Sequence, residues 1–204
     1  MNILAIGAHP DDIEFGCGGM LLKCAGRRHN VHLLILTAGG MGGITDIRKK
    51  EQEQAARFLQ AKQVIWGEFK DTEVPLDKTL ISAVENAISD VLPDIVLFNY
   101  IDDIHQDHRV LAQAATSATR YIKEVLYYEV PTTHNFHPEI FVDIGDVLEK
   151  KIELLKIHAS QVDKTRVENL TILESARSCA NFRGYQGRVK YAEGFKAIRI
   201  MKEI

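Results

Sequence analysis

The chain has 204 residues, which predicts one domain because domains average roughly 150 residues. It carries 25 Lys and Arg against 28 Asp and Glu, so its formal net charge is −3, and 46% of its residues are hydrophobic. This composition excludes a disordered chain and argues against a general binder of nucleic acid or membrane surfaces, since such binders carry a basic excess.

Targeting and disulfide signals are absent from the sequence. The longest apolar stretches, such as residues 33–36, fall far short of the roughly 20 residues that span a bilayer. The first residues lack the basic region and cleavage site of a signal peptide. The three cysteines, Cys17, Cys24 and Cys179, are odd in number and lack a C-x-x-C spacing. We therefore expect a cytoplasmic protein, where thiols stay reduced.

Apolar runs of strand length alternate with helical patterns along the chain. The predicted strands comprise residues 3–6, 31–36, 64–66, 95–98, 124–128, 140–142 and 195–201. The predicted helices comprise residues 18–29, 46–61, 77–92, 107–120, 145–158 and 166–182. This alternation predicts a single α/β domain over residues 1–204, a Rossmann-like three-layer fold with helices on both faces of a mostly parallel sheet. In such sheets ligands bind beyond the carboxyl ends of the strands.

A dense cluster of ionisable residues follows the first predicted strand. His9, Asp11, Asp12 and Glu14 lie within six consecutive positions, and Pro10 stiffens the turn between them. Carboxylates this close repel one another unless a cation lies among them, and histidine with carboxylate is a ligand set that suits Zn²⁺. The simpler alternative is that one of the aspartates caps the following helix and the histidine is a hydrogen-bonded loop residue.

Two other kinds of site are disfavoured at this turn. A dinucleotide-binding turn requires G-x-G-x-x-G, but Leu21 occupies the third glycine position after Gly16 and Gly18. The acidic cluster would also repel a pyrophosphate. An aspartyl phosphatase is disfavoured because the two aspartates are adjacent rather than spaced D-x-D.

A second cluster, Asp-Asp-Ile-His-Gln-Asp-His-Arg, follows the fourth predicted strand and runs into a helix. Its His105 and His108 are three apart, which brings both toward one site at a helix start. One of them would join His9 and Asp12 as the third ligand of a catalytic zinc ion, leaving a fourth position for water. The alternative is a helix capped by Asp107 with two exposed histidines.

The two motifs together resemble the LmbE-like, or PIG-L, zinc-dependent N-acetylglucosaminyl deacetylases. The resemblance is carried by Ala-His-Pro-Asp-Asp at residues 8–12 with its glycine-rich sequel, and by His-x-Asp-His at residues 105–108. It extends over nearly the whole chain. Further matching segments are residues 47–51, 158–161 and 191–195.

The resemblance implies a role for each residue of the two clusters. His9, Asp12 and His108 should bind one zinc ion, or another divalent metal such as Fe²⁺. Asp11 should be the general base that takes a proton from the attacking water. His105, oriented by Asp107, should stabilise the intermediate or protonate the leaving amine.

Two further assignments and a substrate class follow from the resemblance. Tyr191 should help to hold the oxyanion, and Arg48 should bind substrate by pairing with a carboxylate or with sugar hydroxyls. Ile13 separates Glu14 from the two aspartates, a variant that resembles the branch with the malate deacetylases of bacillithiol synthesis. The predicted substrate is a small N-acetylglucosamine conjugate with an anionic aglycone such as malate.

Two other classes of function stay open on the sequence. One is a metal-dependent phosphoesterase, which usually needs two metal ions. The other is a non-catalytic sugar-binding protein of the same fold. We expect a small-molecule sugar substrate as the partner, with no nucleic acid and no membrane. The resemblance also implies a homo-oligomer such as a hexamer.

Overall fold

The computed structural model describes residues 1–201 and contains seven strands that form one sheet. The strands are β1 (Asn2–Gly7), β2 (Asn30–Thr37), β3 (Gln63–Phe69), β4 (Ile95–Asn99), β5 (Glu124–Tyr128), β6 (Ile140–Asp143) and β7 (Ala192–Arg199). The helices are α1 (Asp12–Gly26), α2 (Thr45–Leu59), α3 (Lys78–Val91), α4 (Gln106–Ala118), α5 (Leu148–Lys156) and α6 (Ile172–Gly187). A helix follows each of the first four strands, which confirms the predicted α/β class.

The strand order places a crevice at the carboxyl end of β1. The order is β3-β2-β1-β4-β5-β7-β6, with β1 parallel to both β2 and β4. The chain proceeds from β1 to one side of the sheet for β2 and β3, and then crosses to the other side for β4 and β5. Loops that leave β1 and β4 therefore diverge, and ligands bind in α/β sheets at such a switch point. Only β7, among the strands in residues 1–201, runs against its neighbours β5 and β6.

Alternate residues of β1 pack into hydrophobic cores on opposite faces of the sheet. Ile3 and Ala5 belong to the core beneath α1, α2, α5 and α6, whereas Leu4 and Ile6 belong to the core beneath α3 and α4. All four side chains are fully buried. A strand covered on both faces needs a continuous apolar run, which is the pattern that predicted it.

The start of α1 differs from the sequence-based prediction. The sequence predicts a helix from residue 18, but α1 begins at Asp12 and so includes Gly16 as well. Gly16 is required inside the helix because a Cβ atom there would lie 2.1 Å from Cδ2 of Tyr128. The helix therefore carries Asp12 and Glu14 in its first turn, where the helix dipole favours negative charge.

The later boundaries shift for local reasons. The sequence predicts the last helix from residue 166, but α6 begins at Ile172. Thr171 and Glu174 form a reciprocal capping box that fixes this start. Residues 159–171 are thereby left as a loop that reaches the carboxyl edge of the sheet.

None of the helices within residues 1–201 is both long and apolar enough to cross a membrane.

Candidate active site

Loops at the carboxyl edge of the sheet bring the two predicted clusters together. The loop after β1 carries His9, and the start of α4 carries His105 and His108. Because β1 and β4 are adjacent parallel strands, these loops leave the sheet side by side. Residues 99 positions apart in the sequence, His9 and His108, are thus in direct contact. A third loop, between β3 and α3, adds Asp71.

Two histidines and one aspartate direct their donor atoms to a common point. Nδ1 of His9 lies 3.2 Å from Nε2 of His108, and Oδ2 of Asp12 lies 3.2 Å from that Nε2 and 3.6 Å from that Nδ1. A tetrahedral zinc ion with bonds of ~2.0–2.2 Å has ligand atoms about 3.3 Å apart. The three donors therefore fit one metal ion, and all three side chains are buried.

Two groupings of possible metal ligands centre on His9. Ligand atoms of His9, His105 and His108 lie within 4.8 Å of one another, and those of His9, Asp71 and Asp107 do so as well. The two carboxylates of the second grouping contact Nε2 of His9, the ring nitrogen opposite the one shared with His108. Their position suits the support of a ligand histidine.

Carboxylates hold the outer nitrogen of both candidate ligand histidines. Oδ1 of Asp71 and Oδ2 of Asp107 each lie 3.1 Å from Nε2 of His9. Oδ2 of Asp103 lies 3.2 Å from Nδ1 of His108. Such partners fix the orientation of a metal-binding imidazole and raise its basicity. Sequence reasoning missed Asp71 and assigned Asp103 no role; Asp71 comes from a loop with no motif around it.

The sequence predicts that the Asp107 carboxylate orients the His105 ring, but the structure does not show that contact. The carboxylate of Asp107 contacts His9 and accepts the amide of Thr72 at 2.8 Å. Its link to His105 is through the backbone, because the Asp107 amide donates to Nδ1 of His105 at 3.2 Å. The reason is that His105 itself is the N-cap residue of α4, so its ring folds back over the first turn. The aspartate that reads as a helix cap is a support for His9.

The electrostatics of the ligand triangle favour replacement of protons by a cation. Burial would lower the pKa of His9, but the carboxylates of Asp107, Asp12 and Asp71 raise it well above its usual value. Burial also opposes the charged form of His108, yet Asp12 and Asp103 raise its pKa to about 9. Burial would raise the pKa of Asp12, whereas His108 and His9 lower it well below its usual value. Three buried carboxylates around one imidazole create a strong field for positive charge.

Asp11 lies beside this triangle, and its carboxylate contacts Arg48. It occupies the N-cap position of α1 at φ 93°, but its side chain makes no capping hydrogen bond. Burial raises the pKa of Asp11 to about 6, against the opposing charge of Arg48, whose Nη2 lies 3.5 Å from Oδ2 of Asp11. A carboxylate that titrates near pH 6 is suited to a general base. The simple capping alternative therefore does not describe its side chain.

His105 is placed as a neutral hydrogen-bond donor. Burial, together with the nearby His9 and His108, lowers the pKa of His105 below its usual value. Because Nδ1 accepts the Asp107 amide, the proton of the neutral ring resides on Nε2. The ring is half-buried and lines the cleft.

The guanidinium of Arg48 is engaged by the chain itself. Nη1 donates to the carbonyl of Gly39 at 2.9 Å and Nη2 donates to the carbonyl of Pro10 at 2.7 Å. Arg48 is only 4% exposed, although it forms part of the cleft wall. The sequence predicts that it binds substrate, but these contacts leave few of its donors for that role.

Tyr191 lies outside the lining of the cleft, and its role in holding the oxyanion stays a prediction. It precedes β7, which is separated from β1 by β4 and β5 in the sheet. Its ring packs at the edge of a hydrophobic core.

A buried polar layer lies beneath the site. Glu14 is fully buried, with Oε1 2.6 Å from the Gln52 amide nitrogen and Oε2 3.5 Å from Nε2 of His158. Burial would lower the pKa of His158, but Glu14 and Asp11 raise it above its usual value. Glu14 thus faces away from the metal ligands and belongs to the support of the α1 start. The sequence assigned it no role.

The candidate metal ligands and Asp11 line a cleft of about 760 Å³, a size typical of small-molecule sites. His9, Asp11, Asp12, His105 and His108 line one part of it. Residues from three loops, which follow β2, β5 and α5, line another part. They are Met41, Gly42, Pro131, Thr132, Gln161, Lys164, Thr165, Arg166, Val167 and Leu170.

A switch-point crevice with a candidate His/Asp metal site and a further carboxylate beside it is the kind of site at which α/β hydrolases activate water. The chain belongs to the PIG-L family, since the family's sequence profile, described as GlcNAc-PI de-N-acetylase, matches residues 4–119. This confirms the family resemblance derived from the motifs. Several relatives and structural neighbours of this chain are named deacetylases, enzymes that release an acyl group by hydrolysis.

Two curated relatives carry deacetylase names. The chain is 38% identical over 169 residues to the uncharacterized deacetylase YaiS of Escherichia coli K12, covering 78% of this chain and 91% of that protein. It is 24% identical over 183 residues to the probable N-acetyl-alpha-D-glucosaminyl L-malate deacetylase 2 of Bacillus anthracis, covering 78% and 81%.

Two solved structures show the same fold with different named activities. The N,N'-diacetylchitobiose deacetylase of Pyrococcus horikoshii superposes with a TM-score of 0.84 at 26% identity, covering 96% of this chain and 83% of that one. GalB of Pseudomonas putida KT2440, a 4-carboxy-2-hydroxymuconate hydratase, superposes with a TM-score of 0.83 at 22% identity, covering all of both chains. The fold is thus shared beyond deacetylases, and the site must decide the chemistry.

Proposed function

We propose that this protein is a zinc-dependent deacetylase that removes the N-acetyl group from a small N-acetylglucosamine conjugate, releasing acetate and leaving a free amine. The observation that carries the proposal is the triangle of His9, Asp12 and His108 donor atoms with the carboxylate of Asp11 beside it. We infer that these three side chains hold the metal. When bound there, zinc supplies Lewis acidity that acidifies a water and polarises the acetamide carbonyl.

The chain's own residues then account for the proton transfers. Asp11 accepts a proton from the water whose oxygen adds to the acetamide carbon. His105 donates a hydrogen bond from Nε2 to the carbonyl oxygen, which becomes negatively charged as the acetamide carbon becomes tetrahedral. The carbon–nitrogen bond then breaks, and Asp11 returns its proton to the leaving amine. Asp71, Asp107 and Asp103 keep the two ligand imidazoles in position throughout.

We further propose that the conjugate carries an anionic aglycone such as malate. The lining of the cleft supports this proposal, since Lys164 and Arg166 line the same cleft as the acidic residues. Both also border the adjoining groove beside Gly40 and Gly43. A carboxylate on the aglycone would meet two cations there, while the acetamide lies at the acidic residues.

The experiment is a panel of N-acetylated substrates tested with the purified, zinc-loaded enzyme. The panel comprises free N-acetylglucosamine, a neutral glycoside, diacetylchitobiose and N-acetylglucosaminyl malate, with acetate and primary amine both quantified. We expect acetate and amine in equal amounts, with the highest kcat/KM for the malate conjugate because remote binding energy positions the amide. Equal kcat/KM for all four would contradict the anionic aglycone alone. No acetate from any of them would contradict the deacetylase.

Two properties of the protein in the cell stay predictions. We propose that it is cytoplasmic and that it forms a homo-oligomer, as the family resemblance implies. Light scattering coupled to size-exclusion chromatography measures the oligomeric state, and a mass equal to one chain would contradict the second prediction.

A further inference from the structure

We propose that Arg48 is a positioning residue that holds the Asp11 base in place, rather than a residue that binds substrate. The proposal rests on the proposed function, because it concerns the geometry of the presumed base. The proposal is based on the contacts of the Arg48 guanidinium, which bonds to both the Pro10–Asp11 turn and the loop at Gly39; we call this pair of contacts the clamp.

The clamp fixes the residue before Asp11 directly. Nη2 of Arg48 donates to the carbonyl of Pro10 at 2.7 Å, and the same nitrogen lies 3.5 Å from Oδ2 of Asp11. One nitrogen therefore contacts both the backbone and the carboxylate of this turn. Asp11 adopts φ 93°, in the left-handed region that non-glycine residues seldom occupy. Strained backbone of this kind persists only where the surroundings over-determine it, and Arg48 supplies such a restraint.

The loop after β2 is shaped around the same guanidinium. Gly39 has φ 65°, and a Cβ atom on it would lie 1.9 Å from Nη1 of Arg48. A Cβ on Gly42 would lie 2.8 Å from the same nitrogen. Any larger residue at either position would collide with the guanidinium, so the two glycines allow the loop to pack against Arg48. Nη1 closes the clamp with its hydrogen bond of 2.9 Å to the Gly39 carbonyl.

The burial of Arg48 separates this role from substrate binding. The residue is 4% exposed, and its Nε is buried without a hydrogen-bond partner within residues 1–201. Both terminal nitrogens of the guanidinium donate to backbone carbonyls, so the side chain is held in one place. The cations that substrate can reach are Lys164 and Arg166, which are both exposed. Arg48 instead links the loops after β1 and β2 beneath the base.

The test is a double-mutant cycle with Asp11. Arg48→Met alone should lower kcat by about 10- to 100-fold, since displacement of a reacting group by about 1 Å can cost 10²-fold. KM for the best substrate should change by less than about threefold. In the Asp11→Asn background, Arg48→Met should cause no further loss, because a residue that acts through the base has nothing left to position. Additive losses, or a raised KM with unchanged kcat, would overturn the proposal.

Two further variants guard against a simple folding defect. Gly39→Ala keeps both charges but puts a methyl group where Nη1 lies, so we expect the same loss of kcat with unchanged zinc content. Arg57→Met, an exposed arginine on the same helix, should leave kcat and KM at wild-type values. Full activity of Gly39→Ala with the guanidinium displaced would overturn the proposal.

A crystal structure of Arg48→Met provides a readout that does not depend on turnover. We expect the Pro10–Asp11 turn to relax and the Asp11 carboxylate to leave its position beside the metal ligands. An unmoved turn would overturn the proposal even if the enzyme has another substrate. A failure of the proposed function is distinct, because it shows in the wild type as an absence of acetate release.

Discussion

Oδ1 of Asp71 lies 3.1 Å from Nε2 of His9, and its other oxygen accepts the Met41 amide at 2.7 Å. The aspartate thus connects the proposed metal ligand to the loop that borders the cleft. Burial opposes its charge, but the bonds from His9 and Met41 lower the pKa of Asp71 to about 2. It is therefore ionised at every pH at which the enzyme would work.

We predict that Asp71→Asn weakens zinc binding by about 10- to 100-fold, because an amide supports the basicity of His9 less than a carboxylate does. Competition with a chromogenic chelator measures the Kd. The matched control is Asp90→Asn, an exposed position on α3 that should keep the wild-type Kd. Equal Kd values for the two variants would contradict the supporting role of Asp71.

Zinc binding should release protons and strengthen with pH. Without metal the pKa of His108 is about 9, so this ring is protonated at pH 7, and the pKa of His9 is raised well above its usual value. A metal must displace those protons, and the apparent affinity should rise by about 10- to 100-fold per pH unit below about pH 9. Calorimetry in two buffers of different ionisation enthalpy counts the released protons. Binding without proton release would exclude these histidines as ligands.

The activity of the zinc-loaded enzyme should fall at low pH as Asp11 becomes protonated. The metal-free pKa of Asp11 is about 6, and a bound cation would lower it further by favouring the ionised form. The acidic limb of kcat/KM should therefore lie at or below about pH 6. Asp11→Asn should lower kcat by about 10²- to 10⁴-fold while it retains zinc. The exposed Asp46→Asn is the control, and comparable turnover in both variants would remove Asp11 from the mechanism.

Stability should depend on a buried ion pair remote from the ligands. Nζ of Lys151 lies 2.6 Å from Oε1 of Glu193, and both residues are at most 4% exposed. Glu193 also accepts the amides of Gly19 and Met20 in α1, at 2.7 Å each. Lys151→Met should lower the free energy of unfolding by about 3–5 kcal/mol, since it leaves a buried carboxylate without its partner.

Urea unfolding measures this loss, and the neighbouring exposed Lys150→Met serves as its control. The control should shift stability by less than about 0.5 kcal/mol. If both lysine variants lost the same amount, the buried pair would not be the source of the stability.

The sequence by itself determined the fold class, the family and the edge of the sheet where the site lies. Apolar runs of strand length alternating with helical patterns permit few arrangements other than a covered parallel sheet. The ligand candidates were visible because His9 and Asp12 lie in one turn, and His108 lies in a second turn after a strand of the same pattern. Local motifs of this kind are legible without coordinates, since the chemistry needs its residues close in sequence.

Only the tertiary structure decided which side chains support the site, position its groups or lie outside the cleft. Asp71 reaches His9 from a loop with no motif, and Asp107 turns to His9 because His105 takes the capping position. Arg48 and Tyr191 matched a pattern, yet the first is clamped to the backbone and the second lies three strands away. Such outcomes depend on strand order and on competition for hydrogen bonds. Neither can be read from the spacing of residues along the chain.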